Sequence, residues 1–146
     1  CSPQVVSKAF SYLEAREKAM NPAEFVLVHG DAHGNNTLQD LSEENAFKLV
    51  DPDGIFYEKA YDLGVLMREW TEEYHEAPLR KGLERCRYLH MLTCVPAQAV
   101  WEWGYLQTVS TAFVLLQIGQ EKQGRAMLDV AEAWCLSAAG DCGGRG

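Results

Sequence analysis

Apolar residues recur along the chain with two different periods, and the change of period divides it. From Pro3 to Met20, the positions Val5, Val6, Ala9, Phe10, Leu13 and Met20 fall on one face of a helix, which Asn21-Pro22 ends. Phe25–Val28 is a short continuous apolar run, the pattern of a small buried strand. Thr37–Gln39 reads as a second brief strand, Asp40–Asn45 as turn chemistry, and Ala46–Val50 as a strand that pairs back. Asp51-Pro52-Asp53-Gly54 is a strong turn. Beyond it the helical period returns. Ala60–Tyr74 carries Leu63, Leu66, Met67 and Trp70; Pro78–Leu92 and Pro96–Ile118 each open on a proline suited to a first helical turn. Arg125–Ala138 closes the series with Met127, Val130, Ala131 and Trp134 on one side, and Gly140–Gly146 reads as a disordered tail. The expected fold is α+β and mostly helical: one domain over residues 1–139, with a small β-hairpin carrying polar loops.

Composition changes this picture in three ways. The 146 residues, 47% hydrophobic and 23% charged, are enough for one cored domain, and no window approaches the ~18 apolar residues of a membrane span. No leader peptide is read at the start, and a chain opening on Cys1 is expected to be a piece of something longer. The net charge of −8 argues against a nucleic-acid partner; it suits a cationic ligand, and equally plain solubility. Five cysteines, an odd number with no CxxC, argue against a disulfide framework or structural zinc and for a reducing cytoplasm. Cys86, Cys94 and Cys135 read as small core residues.

The chemistry concentrates in HGDAHGNN, residues 29–36, directly after the first strand. Glycine and asparagine are ordinary loop residues, which accounts for Gly30, Gly34 and Asn35. It does not account for Asp31, His33 and Asn36 together with a second acidic turn at Asp51. The run Asp31-Ala32-His33-Gly34-Asn35 also matches the D-x-H-G-N of metallophosphoesterases. Their two-metal site needs further histidine-bearing ligand motifs, and only His75 and His90 remain, each alone. The third reading is phosphoryl transfer of the protein-kinase type. There a catalytic Asp and a metal-binding Asn lie five residues apart on one loop, as Asp31 and Asn36 do, and a following strand delivers a metal-binding Asp, here Asp51. A hairpin would set Asn36 and Asp51 side by side to hold Mg²⁺ through oxygen, leaving Asp31 to accept a substrate proton.

The combination H-G-D-x-H-x-x-N, then V-D-P-D-G, then A-Y-D-L-G-x-x-M-R-E-W resembles the aminoglycoside phosphotransferase family, nearest its aminoglycoside/hydroxyurea antibiotic resistance kinase branch. The similarity runs from Phe25 to Trp70 and continues more weakly through Val100–Gly104 and Leu115–Gln117. It implies the C-terminal lobe of a protein-kinase-like fold and an ATP- and Mg²⁺-dependent small-molecule kinase. It also implies residue roles. Asp31 would be the catalytic base, with His33 near the phosphates or the metal. Asn36 and Asp51 would be the magnesium ligands. His29 would brace the loop from within on the nucleotide side of the site, and Asp62 would hold the catalytic loop by hydrogen bonds. Asp53 stands where relatives often carry Lys and reads as a turn residue.

In such kinases the helices after the metal Asp receive the acceptor. Glu69 and Glu102 are the candidates for contact with a cationic, aminoglycoside-like molecule. Glu72, Glu73 and Glu76 read as a solvated helix face; Trp70, Trp101 and Trp103 read as core. The 28 residues before His29 read as one helix, with Lys8 and Lys18 on it and no G-x-G-x-x-G. The chain is therefore expected to be the C-lobe alone, inactive by itself, exposing apolar surface at the lobe interface through which it could form a homodimer. The competing expectation is a non-catalytic binding or dimerisation domain built on the same scaffold.

Overall fold

In the computed structural model, which describes residues 2–136, the first helix, α1 (Pro3–Ala19), opens on Pro3 and closes with Arg16 and Lys18 in its last turn, where cations oppose the helix dipole. Its buried face differs from the expected one. Val5, Tyr12 and Arg16 point inward, whereas Phe10 is 62% exposed. The cause is polar. Arg16 pairs with Glu58 at 3.2 Å and Glu102 at 3.3 Å, and Tyr12 packs edge-on against Tyr105. Those partners turn the helix toward them. The expected tail Gly140–Gly146 and the end of the expected last helix at Ala138 lie outside the described residues.

A single 3-10 turn (Pro22–Glu24) leads into four short strands, β1 (Val26–Val28), β2 (Thr37–Gln39), β3 (Phe47–Leu49) and β4 (Ile55–Tyr57). The expected hairpin is present as β2–β3, antiparallel with Thr37 opposite Leu49 and Gln39 opposite Phe47. Its tip is tied by Asp40, which accepts from Ser42 and pairs with Lys48 at 2.6 Å. The Lys48 ammonium and the Ser42 donors hold the Asp40 carboxyl down at about 2. This tie is therefore present above the ordinary carboxylate range and is lost as pH falls toward that value. The strand β4 was not anticipated. It returns to β1, pairing Val26 with Tyr57 and Val28 with Ile55, so the β region is two two-stranded ladders. Their outer side chains Leu27, Phe47 and Phe56 stand exposed.

The helices that follow are α2 (Ala60–Arg68), α3 (Pro78–Thr93), α4 (Ala97–Gln117) and α5 (Glu121–Cys135). The expected helix 60–74 stops at Arg68 because its last carbonyls are claimed from outside. Arg85 of α3 donates to the Glu69 and Leu66 carbonyls, and Tyr74 donates to Met67 O at 2.7 Å. Glu69 turns extended, Trp70 adopts a left-handed backbone with φ +52°, and a 3-10 turn over Thr71–Tyr74 replaces the expected continuation. Trp70 is consequently 48% exposed beneath the Arg85 guanidinium rather than in the core. Cys94 likewise leaves the core: it ends α3 in the left-handed region and is exposed, while Cys86 is buried as expected. The last helix begins one turn earlier than expected, at Glu121, after Gly119 (φ +82°) ends α4.

The helix α4 is the hub, with Val100, Trp101, Tyr105 and Ala112 fully buried, and it packs against α1, α2, α3 and α5. It meets α2 through glycines. A Cβ on Gly64 would lie 2.7 Å from Trp103 Cβ and 2.8 Å from its carbonyl carbon; one on Gly104 would lie 2.6 Å from Met67 Cβ. Backbone cannot yield as a flexible side-chain tip can. Gly64→Ala should therefore cost about 1–3 kcal/mol in urea unfolding. Gly34→Ala, where nothing lies within 4 Å, should shift stability by less than about 0.5 kcal/mol. Among the described residues, no helix is long and apolar enough to cross a membrane.

Candidate functional site

The loop between β1 and β2 is built by backbone contacts before any side chain acts. Asp62, in the first turn of α2, accepts both His29 N–H and Gly30 N–H at 2.8 Å. One carboxylate thus fixes two successive peptide groups. His29 is held through both ring nitrogens. Its Nδ1 accepts from Asp31 N–H at 3.3 Å, so Nε2 carries the proton and donates to Val50 O at 2.9 Å. This ring ties the Asp31 loop to the end of β3. With neither nitrogen spare, it offers nothing direct to a nucleotide.

The side chains of Asp31, His33 and Asn36 converge. His33 Nδ1 accepts from Asn35 N–H at 3.1 Å, which leaves Nε2–H to donate to Asp31 Oδ2 at 3.0 Å. Asn36 Nδ2 donates to Asp31 O at 3.0 Å and to Asp31 Oδ2 at 3.3 Å. The amide is thereby oriented with its Oδ1 turned away from Asp31. The neighbouring Asp51 turn is pinned to the same place: Val50 N–H donates to Asn36 O at 2.9 Å, and Asp53 N–H donates to His29 O at 2.8 Å. Asp51 is exposed and takes a left-handed backbone with φ +58°. Aspartate tolerates this conformation in a turn. The Asp53 side chain lies over Gly30, whose φ of +91° and lack of a Cβ make room for it.

Arg68 was not singled out by sequence reasoning, though it stands within the M-R-E-W stretch. It ends α2 and reads there as an ordinary cation at a helix C-terminus. In the structure its Nη2 donates to Asp31 Oδ1 at 2.6 Å, while Nη1 donates to Gln107 Oε1 at 2.8 Å and Thr111 Oγ1 at 3.0 Å on α4. Glu69 joins this neighbourhood, 3.7 Å from Arg68 Nε.

Glu102 is drawn elsewhere. It is 2% exposed, pairs with Arg16 and accepts from Gln98, about 140° around α4 from Gln107. Burial raises its carboxyl above the ordinary range against the opposing pull of Gln98 and Arg16. Glu58 completes the cluster by accepting from Trp103 Nε1. A cavity of about 740 Å³ adjoins these groups and Val26, at the end of β1 away from the Asp31 loop. Glu69 therefore lies beside Arg68, which bonds Asp31, and Glu102 does not.

The donor set suits a hard cation. An amide oxygen, Asn36 Oδ1, and the exposed carboxylate of Asp51 are offered near one another in the chain's fold, since Asn36 O accepts from Val50 N–H, the residue before Asp51. Among the described residues, no group of three or more His, Cys, Asp or Glu side chains is arranged to hold a metal. A magnesium ion that keeps waters and phosphate oxygens needs only one or two protein ligands. No protein-family model matches the chain, and neither a curated protein nor a solved structure does so.

Proposed function

We propose that the chain is the catalytic half of an ATP-dependent phosphotransferase acting on a hydroxyl of a small molecule, of the aminoglycoside-kinase kind. One observation carries the reading: Asp31 and Asn36 meet through hydrogen bonds on a loop whose backbone is gripped by Asp62 and His29. A loop needed only as a connection has no use for that many fixed polar groups around one partly exposed carboxylate.

In the reaction, the acceptor hydroxyl oxygen forms a bond to the terminal phosphorus of ATP. The bond from that phosphorus to the bridging oxygen breaks, and its electron pair leaves on ADP. The hydroxyl proton passes to the Asp31 carboxylate, which first orients the hydroxyl. Asn36 and Asp51 would hold the magnesium ion, which when bound neutralises phosphate charge. His33 keeps the Asp31 carboxylate turned toward the acceptor. Glu69 offers negative charge for a cationic acceptor; Glu102, sealed against Arg16, serves structure.

The test is transfer of radiolabelled phosphate from ATP by the full-length protein to a panel of aminoglycosides and other polyols, with magnesium present. Acceptor-dependent labelling is expected, and its absence across the panel would sink the reading. Asp51→Ala should abolish magnesium-dependent nucleotide binding in titration calorimetry; unchanged affinity would remove Asp51 from the metal.

A further inference from the structure

We propose that Arg68 is the positioning residue for Asp31, and that Gln107 and Thr111 of α4 hold Arg68 for that task. The inference rests on the phosphotransferase reading of the loop.

A guanidinium is planar, permanently charged and carries its donors in a fixed fork. Here the fork is used in two directions. Nη1 is anchored on two neutral acceptors of α4, Gln107 at 2.8 Å and Thr111 at 3.0 Å, leaving Nη2 aimed at Asp31 Oδ1 at 2.6 Å. The Arg68 side chain is 14% exposed and Asp31's is 38% exposed, so the pair is sheltered on the arginine side and open on the carboxylate side. Neutral anchors matter. The amide and the hydroxyl locate Nη1 without adding charge, while the Glu69 carboxylate lies 3.7 Å from Nε, a looser contact than the 2.6 Å bond to Asp31.

The Asp31 carboxylate is then fixed by three donors. Oδ2 receives His33 Nε2–H and Asn36 Nδ2, which occupy its two lone-pair directions. Oδ1 receives only Arg68 and keeps one direction free. The geometry therefore points to Oδ1 as the oxygen that receives the acceptor hydroxyl, with the Arg68 cation beside it. A guanidinium so close draws electron density from the carboxylate, which suits an oxygen that orients a hydroxyl early and takes its proton late. It also disfavours an acceptor whose ammonium group adjoins the reacting hydroxyl. The acceptor class that fits carries its positive charge on the Glu69 side instead.

The experiment combines a spectroscopic and a kinetic arm on the full-length protein. With ¹⁵N-labelled arginine, the Arg68 Nη signals are expected to be separately resolved in the wild type, because rotation of a clamped guanidinium is slow, and to stay resolved in Asp31→Ala, where Nη1 keeps both α4 anchors. Merged signals in the folded wild type would overturn the proposal. In the kinetic arm, Arg68→Gln should lower kcat about ten- to a hundredfold with the nucleotide KM held, the scale of a misplaced catalytic group. Arg68→Lys should not restore it, because an ammonium cannot bond Asp31 and both α4 anchors in one plane. A kcat within twofold of wild type in Arg68→Gln, or full recovery in Arg68→Lys, overturns the assignment. If Arg68→Gln fails to fold, Gln107→Leu, which frees Nη1 while leaving the cation, should lower kcat with the same unchanged nucleotide KM; no change in kcat would count against the anchor. Resolved Arg68 signals in a protein that phosphorylates nothing would refute the kinase reading and still support the clamp.

Discussion

Replacing Arg16 with Met is expected to lower the unfolding free energy by about 3–5 kcal/mol, the scale of stripping one partner from a buried ion pair. Arg16 is shared between two carboxylates, Glu58 and Glu102, and its side chain is 8% exposed. Without it, Glu102 is left with Gln98 as its hydrogen-bond partner. The double change Arg16→Met with Glu102→Leu should recover part of the loss, because the Glu102 charge is then no longer stranded, while Glu58 keeps only Trp103 as donor. Urea unfolding of the three proteins decides this, and a double variant as unstable as the single one would show that shape rather than charge matters there. The pH dependence has a definite sign. Burial raises the folded-state pKa of Glu102, so the folded protein holds that proton more tightly than the unfolded chain does. This group therefore favours folding at low pH, and its contribution is lost as pH rises through the raised value. The slope should be steeper in Arg16→Met, whose deficit should be smaller at pH 5 than at pH 8.

Asp31→Ala should cut turnover by two or more orders of magnitude, roughly the scale of losing a general base. The fall belongs in kcat, since Asn36 and Asp51 remain to serve the nucleotide side. Thermal stability should change little. The Asp31 side chain is over a third exposed, and water replaces it, while Arg68 keeps Gln107 and Thr111. Near-normal turnover in this variant would remove Asp31 from the chemistry, whatever the fold.

Several parts of this architecture were legible because single residues dictate them. Pro3, Pro78 and Pro96 mark helix starts within a residue of where helices begin, since proline costs nothing in a first turn. The polar loop after β1 stood out because Asp31, His33 and Asn36 exceed what turn chemistry needs. The rest depended on partners distant in sequence. Trp70 continues a helical pattern, and only the capture of the Glu69 and Leu66 carbonyls by Arg85 explains why the helix stops before it. Arg16 reads as a solvated cation until Glu58 and Glu102 arrive from 42 and 86 residues away. Ile55–Tyr57 spans three residues, too few for any period to show, and forms a strand because β1 offers it an edge. Arg68 fell inside the expected helix 60–74 with nothing to mark it, and its link to Asp31 exists only once α2 docks on α4.

That docking has a metric consequence. Gly64 meets Trp103, and four residues further along each helix Arg68 meets Gln107. The glycine notch thus works as a gauge block, setting how far α4 lies along α2 and, through that offset, where the guanidinium comes to rest. Sliding the pair by one helical pitch, about 5.4 Å, would carry the amide out of the arginine's reach. Bulk introduced at position 64 should accordingly surface as a kinetic defect as well as a thermodynamic one, although the native side chain there is a single hydrogen.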